Sequence, residues 1–461
     1  MTTSEPKDKS RIGNLSLLAI GDVHLGTRPS SLPDNLAEMG VSASELTPEA
    51  ALSGAVDIAI AKEVDAVLFA GDVVESTNAR FEALRPLEDA VERLAKAGIP
   101  VLAVVGNHDV EALPRLANRI AGLSIIGRGG VWESYPIEKD GHPAVEILGW
   151  SFPEQQVKRS PVAELIRSPI ISKFPGLRRL GLLHADLDAS GGNYAPVTRN
   201  ELLTAGVDAW LLGHIHKPSL ADSFARNDST PHGYLGSLVG LDASETGPHG
   251  PWLIRVEDDR ISAQQLATAP LRWEHLEVAI GESESIEDTA DSILDEAERL
   301  VQKIHDTDHS PRLLGVRVQI VGRTRDFEGV QQYVEGGKWR NLWRDVGQTV
   351  VFVDKVYNHT ELAVHLEELA KGEDPPALLA RKLLSISRRE PDGMQIIEAA
   401  RSRMRVLAAD SNWSPLDEAR DPIDPLADNV LAATLLHAGT TALYAMLRQG
   451  QSDQAAPRET V

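Results

Sequence analysis

Residues Val101–Asp109 read VLAVVGNHD: five apolar residues run into Gly106 and then into an amide, an imidazole and a carboxylate. An apolar run this short, bounded by Ile99-Pro100 and a glycine, predicts a strand buried on both faces. In an open α/β sheet, ligands bind beyond the carboxyl ends of the strands, so Asn107, His108 and Asp109 fall where a site forms. Alone, such a tripeptide is an ordinary turn. Repetition changes the reading. Leu15–Ile20 leads into Gly21-Asp22-Val23-His24, Ala66–Ala70 into Gly71-Asp72, Leu180–Leu183 into His184, and Trp210–Leu212 into Gly213-His214-Ile215-His216. Metal-type ligands at the same end of five similar strands predict a shared ligand.

The chain has 461 residues, which at about 150 residues per domain predicts two or three domains. With 42% hydrophobic residues, core size is not limiting. There is no cysteine, so disulfides, thiolate metal sites and thiol nucleophiles are excluded and any metal is held by N and O ligands. Manganese, iron or zinc would suit such a site. The amino terminus, MTTSEPKDKS, reads as neither secretory signal nor anchor, and no later apolar run approaches the ~20 residues that span a bilayer, so no membrane partner and a cytoplasmic location are expected. A net charge of −22 opposes indiscriminate binding to nucleic acid and leaves a local basic surface as the route to it.

Taken in order, residues 1–14 read as a disordered lead-in and Gly26–Pro48 as a long loop beside the first ligand pair. Glu49–Val64 carries a helical stripe, and with its flanking strands forms a βαβ unit. Phe81–Ala97 is helical, Pro86 implying a kink or a start no earlier than Arg85. Val145–Leu148, Leu180–Leu183 and Trp210–Leu212 predict a second sheet, packed face to face on the first with helices outside and the site at one edge. Glu257–Arg260 reads as a hairpin turn. From Arg272 an α+β pattern follows: strand Trp273–Ile280, helix Ile286–Ile304, strands Leu313–Val321 and Val350–Val353. From Glu361 the chain reads as mostly helical over Leu362–Leu369, Ala377–Ile386 and Val430–Leu447, interrupted by the Pro- and Asp-rich Ser414–Asp428 and ending in a disordered tail. The expected domains are catalytic (15–270), a separate α+β cap module (271–360) and a helical C-terminal region (361–461).

Asp22 and His24 place a carboxylate and an imidazole on one ion, and Asp72 on the neighbouring strand can bridge two ions with its two oxygens. Asn107 adds a neutral oxygen; His184, His214 and His216 add nitrogens. Seven ligands suit two ions rather than one. Ions about 3.5–4 Å apart clamp the attacking and leaving oxygens of an in-line displacement at phosphorus and lower the pKa of a bound water, which would be the nucleophile. His108 is left beside the metals, placed to protonate the leaving oxygen. Glu75, three residues past Asp72, can reach that imidazole and orient it; the alternative is a solvated turn residue.

These residues carry a resemblance. D-x-H at Asp22–His24, GD at Gly71-Asp72, GNHD at Gly106–Asp109, the lone His184 and GHIH at Gly213–His216 resemble the signature of the calcineurin-like metallophosphoesterases over roughly residues 15–260. The resemblance implies an α/β fold, a four-layered β-sandwich flanked by helices, with a di-metal centre, often manganese: Asp22, His24, Asp72 and His216 on one ion, and Asp72, Asn107, His184 and His214 on the other. Within that superfamily the chain is most similar to the DNA-repair exonuclease branch typified by SbcD, especially its YhaO-like bacterial members. The carriers are GDVHLG at Gly21–Gly26, LLHADLD at Leu182–Asp188, NYAP at Asn193–Pro196, LLGHIHKP at Leu211–Pro218 and YLGS…ETGPHG between Tyr234 and Gly250. The α+β module resembles the DNA-facing cap of those nucleases. One departure is Glu75, where archaeal and eukaryotic nucleases of the branch carry histidine; at this position nuclease and phosphatase both stay open.

For DNA contact the candidate is Lys338-Trp339-Arg340-Asn341-Leu342-Trp343-Arg344, where cations alternate with aromatics that could stack on single strands or frayed ends. The competing reading is an amphipathic helix with core tryptophans. Arg401, Arg403 and Arg405 read as a solvated face. The expected function is thus a di-metal DNA exonuclease or endonuclease whose partners are DNA, an SbcC-like ATPase and a second copy of the chain. The alternatives are a phosphomonoesterase or small phosphodiesterase, and a non-catalytic adaptor for a repair ATPase.

Overall fold

The computed structural model describes residues 14–75, 82–189, 191–257, 260–281, 286–307, 309–363, 365–408 and 426–455. The expected lead-in, most of the Pro- and Asp-rich break and the end of the tail lie outside the described residues. Two compact units emerge, one made of residues 1–278, 286–320 and 332–358, the other of 279–285, 321–331 and 359–461.

In the first unit, strands β1 (Leu15–Ile20), β2 (Ala66–Ala70), β3 (Val101–Val104) and β4 (Leu123–Ile125) lie side by side in parallel. Helix α1 (Pro48–Ala61) links β1 to β2, and α2 (Leu84–Lys96) links β2 to β3. α2 begins one residue earlier than expected and is not broken at Pro86, because a proline in the first helical turn gives up an N–H that has no intrahelical acceptor. The loop expected over Gly26–Pro48 is packed rather than open: Met39, Val41 and Leu46 are buried, and a short 3-10 turn spans Ala43–Leu46.

A second sheet holds β5 (Glu133–Lys139), β6 (His142–Trp150), β7 (Arg178–His184), β8 (Ala209–Gly213) and β9 (His232–Tyr234), in that spatial order and parallel from β6 onward. The chain then returns to the first sheet, where β10 (Trp252–Val256) and β11 (Ile261–Gln265) extend the edge beside β1 as an antiparallel hairpin. Alternation decides the layers. Leu15, Leu17, Ala19, Leu68 and Leu102 of the first sheet share one core with Val145, Ile147, Leu180, Leu182 and Leu211 of the second. The alternate residues Leu18, Ile20 and Phe69 face the other way, in a core with Leu52 and Val56 of α1 and Leu87, Val91 and Leu94 of α2. Each such leucine contributes about 1.5–3 kcal/mol relative to exposure. On the far side of the second sheet, Trp210 donates its indole N–H to the Leu202 carbonyl of a short helix, Arg199–Thr204. The result is a four-layered sandwich, with helices outside two facing sheets.

A third sheet contains β12 (Leu271–Ile280), β13 (Leu313–Thr324), β14 (Trp343–Val346) and β15 (Thr349–Asn358), with helix α3 (Ile286–Thr307) between its first two strands and α4 (Phe327–Gly336) after β13. The sequence pattern suggested a separate module here. Instead, Leu271, Trp273, Leu313, Val350 and Phe352 belong to the same core as the catalytic sheets, and the Trp273 indole donates to the Gly240 carbonyl. The apolar face of this sheet is covered by the sandwich, which is why most of it falls in the first unit.

In the second unit, the stretch Leu362–Leu369, expected to be helical, divides. Glu361–Leu362 (β16) pairs with the end of β13, leaving one helical turn at Leu366–Leu369. Helices α5 (Pro375–Ser387), α6 (Pro391–Ala408) and α7 (Asp428–Ala455) follow, with Ile386, Ile397 and Leu431 in a common core. The expectation that no apolar run approaches membrane-spanning length is corrected. Asp428–Leu447 is long and apolar enough by length and composition to cross a membrane, with a mean hydropathy of 1.5 and 11% of the stretch buried. Its apolarity is spread over alanines and leucines with threonines between, so no unbroken run flags it in the sequence. Arg401 pairs with Glu398 and Asp428, while Arg403 and Arg405 are exposed.

Candidate metal centre

All the candidate ligands project from the carboxyl ends of β1, β2, β3, β7 and β8, where two sheets present their strand ends to one point. Asp22, His24, Asp72, Asn107 and His184 are buried; His214 and His216 are partly so. The turns that deliver them are tight. His24, Asp72 and His214 have φ of 53°, 48° and 108°, a region that costs side-chain-bearing residues of order 1–3 kcal/mol each and is tolerated where the fold over-determines it. Gly106 explains the first residue of GNHD: a Cβ there would sit 2.2 Å from Asp72 Oδ1.

Two groups form. Asp22, His24 and His216 place ligand atoms within reach of one another, as do Asp72, His184 and His214. Asn107 Oδ1 lies 2.9 Å from His184 Nε2 and so joins the second group. Asp72 stands between them, its Oδ2 3.2 Å from His184 Nε2 and 4.0 Å from His24 Nε2. Its other oxygen, Oδ1, accepts the backbone N–H of His108 at 2.9 Å. Oδ2 thus faces both groups, while Oδ1 is held by the turn.

The histidines share a design. His184 Nδ1 donates to the Ala70 carbonyl at 3.1 Å, His214 Nε2 to Asp186 at 2.9 Å, His216 Nδ1 to Glu245 at 2.7 Å and His24 Nδ1 to Glu75 at 3.3 Å. Carbonyls and carboxylates only accept, so each outer nitrogen carries a proton, which leaves each inner nitrogen as the one able to offer a lone pair to a cation at the centre. His24 Nε2 and His216 Nε2 then face each other at 3.0 Å, and His184 Nε2 faces His214 Nδ1 at 3.3 Å. Asp22 Oδ2 is buried and has no hydrogen-bond partner among the described residues. Converging lone pairs and an orphaned buried carboxylate oxygen fit two divalent cations, with N and O donors suited to manganese, iron or zinc.

Charge follows. Burial opposes a charge on His184, but Asp72 in contact and Asp22 nearby hold its pKa up at about 9. Asp109 is pushed up to about 7 by burial and then by the charge of Asp72, although its two oxygens accept the N–H groups of Val73 at 2.8 Å and Gly106 at 2.7 Å. It ties the turns after β2 and β3 together.

His108 lies at the rim of the centre, in a third cluster with Glu75 and His24. Its side chain is 45% exposed, its ring meets His24 edge to face, and its Nδ1 is 3.1 Å from Glu75 Oε2. Glu75 therefore bridges two imidazoles. The hydrogen bond from His24, and then that from His108, hold its pKa down at about 2 against burial. It is not a solvated turn residue.

The anchors Asp186 and Glu245 escaped the sequence reading. Both lie inside stretches that carried the resemblance, Leu182–Asp188 and Tyr234–Gly250, but an acidic residue in a polar loop has no local mark of a partner far along the chain.

The proposed DNA-contact residues are not brought together as a platform. Trp339 is 7% exposed, with its indole N–H on the Val334 carbonyl at 2.9 Å. Trp343 is half-buried against the main core. Arg344 is paired with Asp295 and Glu298 at 2.8 and 3.0 Å. Stacking by Trp339 is corrected on this ground: a buried ring has no free face. Lys338 and Arg340 remain exposed, Arg340 resting over the Trp339 ring.

Residues 15–218 match the family model of the calcineurin-like phosphoesterases. Among curated proteins, the chain is 27% identical over 275 residues to the uncharacterized metallophosphoesterase YhaO of Bacillus subtilis, the match covering 59% of this chain and 65% of that one. It is 26% identical over 280 residues to the DNA double-strand break repair protein Mre11 of Aeropyrum pernix, with 59% and 65% covered. To the Mre11 of Haloferax volcanii it is 26% identical over 328 residues, with 69% and 64% covered. The matches thus span just under two thirds of these relatives. With the ligand set assembled at the strand ends and this match over the same residues, the chain carries a calcineurin-like metallophosphoesterase domain.

Proposed function

We propose that the chain is a di-metal phosphodiester hydrolase whose substrate is DNA. The observation that carries the reading is the half-exposed His108, held by Glu75 at the edge of seven converged ligands. Asp22, His24, Asp72 and His216 would hold one cation, and Asp72, Asn107, His184 and His214 the other. When bound, such a pair activates water and neutralises the phosphate. The remaining chemistry belongs to the protein. His108 delivers a proton to the departing sugar oxygen, which as an alkoxide is a poor leaving group. Glu75 fixes the orientation of the ring through its contact with Nδ1. Asp109 and the anchors of the four histidines keep the turns from relaxing. DNA is favoured because two relatives carry a break-repair name and because Lys338 and Arg340 offer exposed cations in the same unit. On this reading manganese is the preferred ion, an SbcC-like ATPase and a second copy of the chain are the protein partners, and the cytoplasm is the place of work. Phosphomonoesterase activity is the second reading, which Glu75 leaves open: archaeal and eukaryotic nucleases of the branch carry histidine there, whereas bacterial relatives and many phosphatases carry an acid.

The test is purified protein with Mn²⁺ on end-labelled single- and double-stranded DNA, p-nitrophenyl phosphate and its bis-ester, beside Asp72→Ala. DNA and the bis-ester should be cleaved, and Asp72→Ala should lose activity and metal content together because one carboxylate serves both groups. Cleavage of the monoester alone would establish the second reading. A metal-loaded protein inactive on all four would establish a non-catalytic role.

A further inference from the structure

We infer that Glu245 is a positioning residue for the metal centre, one that sets the affinity of the ion held by His216. It lies beyond the residues that match the family model. Its Oε1 accepts His216 Nδ1–H at 2.7 Å, the shortest of the four histidine anchors described above. Its Oε2 accepts the Ser237 hydroxyl at 3.0 Å and the Leu241 N–H at 3.0 Å. The carboxylate is thereby clamped from both sides before any ligand arrives. The same segment is tied to the ligands through the backbone: Ser237 N–H donates to the His216 carbonyl at 2.9 Å, and Leu238 N–H to the Asp22 carbonyl at 3.1 Å. Buried His249 closes the arrangement, its ring nitrogens 3.0 Å from the Ser237 hydroxyl and 3.2 Å from the Glu245 carbonyl.

The physical consequence is directional. An acceptor on Nδ1 fixes the tautomer and the ring orientation, so the Nε2 lone pair points at the centre, where it meets Nε2 of His24 at 3.0 Å. An anionic acceptor also makes that lone pair more basic. Outer-shell partners of this kind typically contribute about 10–100-fold to metal affinity. Glu75 does the same for His24 but shares its carboxylate with His108. Among the described residues the Glu245 carboxylate is hydrogen-bonded to no imidazole but that of His216, so shortening the side chain perturbs one ligand without touching the proton donor.

The inference rests on His216 being a ligand, and the experiment separates the two ideas. Metal-free wild type, Glu245→Ala, Glu245→Gln and His216→Ala are titrated with Mn²⁺ by calorimetry, without substrate, and their thermal unfolding is recorded. Glu245→Ala should bind one ion about 10–100-fold more weakly and the other as the wild type does. Glu245→Gln, which keeps an acceptor for Nδ1–H, should recover part of the loss. Should the Ala chain not fold, Glu245→Asp replaces it, keeping the charge but withdrawing the arm. Unchanged binding in Glu245→Ala beside loss of one ion in His216→Ala would overturn this inference alone, as would a Gln variant no better than Ala. Unchanged binding in His216→Ala would overturn the ligand assignment with it.

Discussion

Glu75 and His108 are joined by a hydrogen bond yet have separable duties. Glu75 touches both His24 and His108, so Glu75→Gln should weaken metal binding and turnover together. His108 is not one of the seven candidate ligands, and His108→Asn should keep both metals. On DNA it should lose about 10²–10⁴ in turnover, the usual contribution of a positioned general acid. On the bis-p-nitrophenyl ester, whose nitrophenolate leaves without a proton, the loss should be much smaller. Parallel kinetics on the two substrates check this, and equal losses would remove His108 from the acid role.

At the scale of elements, the site exists because parallel strands end together and glycines let the following turns close. The same local logic misreads Lys338–Arg344. Alternating cations and aromatics look like a binding stripe, but a 3-10 turn over Lys338–Asn341 followed by β14 buries Trp339 and sends Arg344 to the acidic face of α3. Two cations remain available for phosphate. Lys338→Ala with Arg340→Ala should weaken DNA binding regardless of sequence and reduce the slope of log K against log salt by about 2, roughly 0.9 for each phosphate no longer neutralised. Arg344→Ala should leave the slope where it is. Fluorescence titrations at several salt concentrations measure both, and an unaltered slope in the double variant would move the DNA surface elsewhere.

For the whole molecule, the metal centre couples folding to pH. His184 has a folded pKa of about 9 against an ordinary value of 6.5. A value raised by folding gives stability that is fully present below pH 6.5 and is lost as pH climbs through 9, at no more than about 1.4 kcal/mol per pH unit for one proton. Metal-free protein in chelator should therefore show a Tm that falls across this window. With Mn²⁺ the cation replaces the proton as counter-charge to Asp22 and Asp72, so the Tm should be higher and the fall abolished. Identical pH profiles with and without metal would refute the coupling. By itself the sequence determined the strands, the turns and the ligand types, because an apolar run, a glycine and the residue after it are neighbours in the chain. It determined the face-to-face sheets too, since alternation along β1 and β2 assigns one set of side chains to each side. Only the tertiary structure decided that Glu75, Asp186 and Glu245 anchor the histidines, that Asp72 faces both groups with one oxygen, that the third sheet shares the main core, and that Trp339 is inside. Each of these depends on packing between residues far apart in the chain. Such pairings follow from how the sheets, helices and long loops come to rest on one another, which no local pattern records.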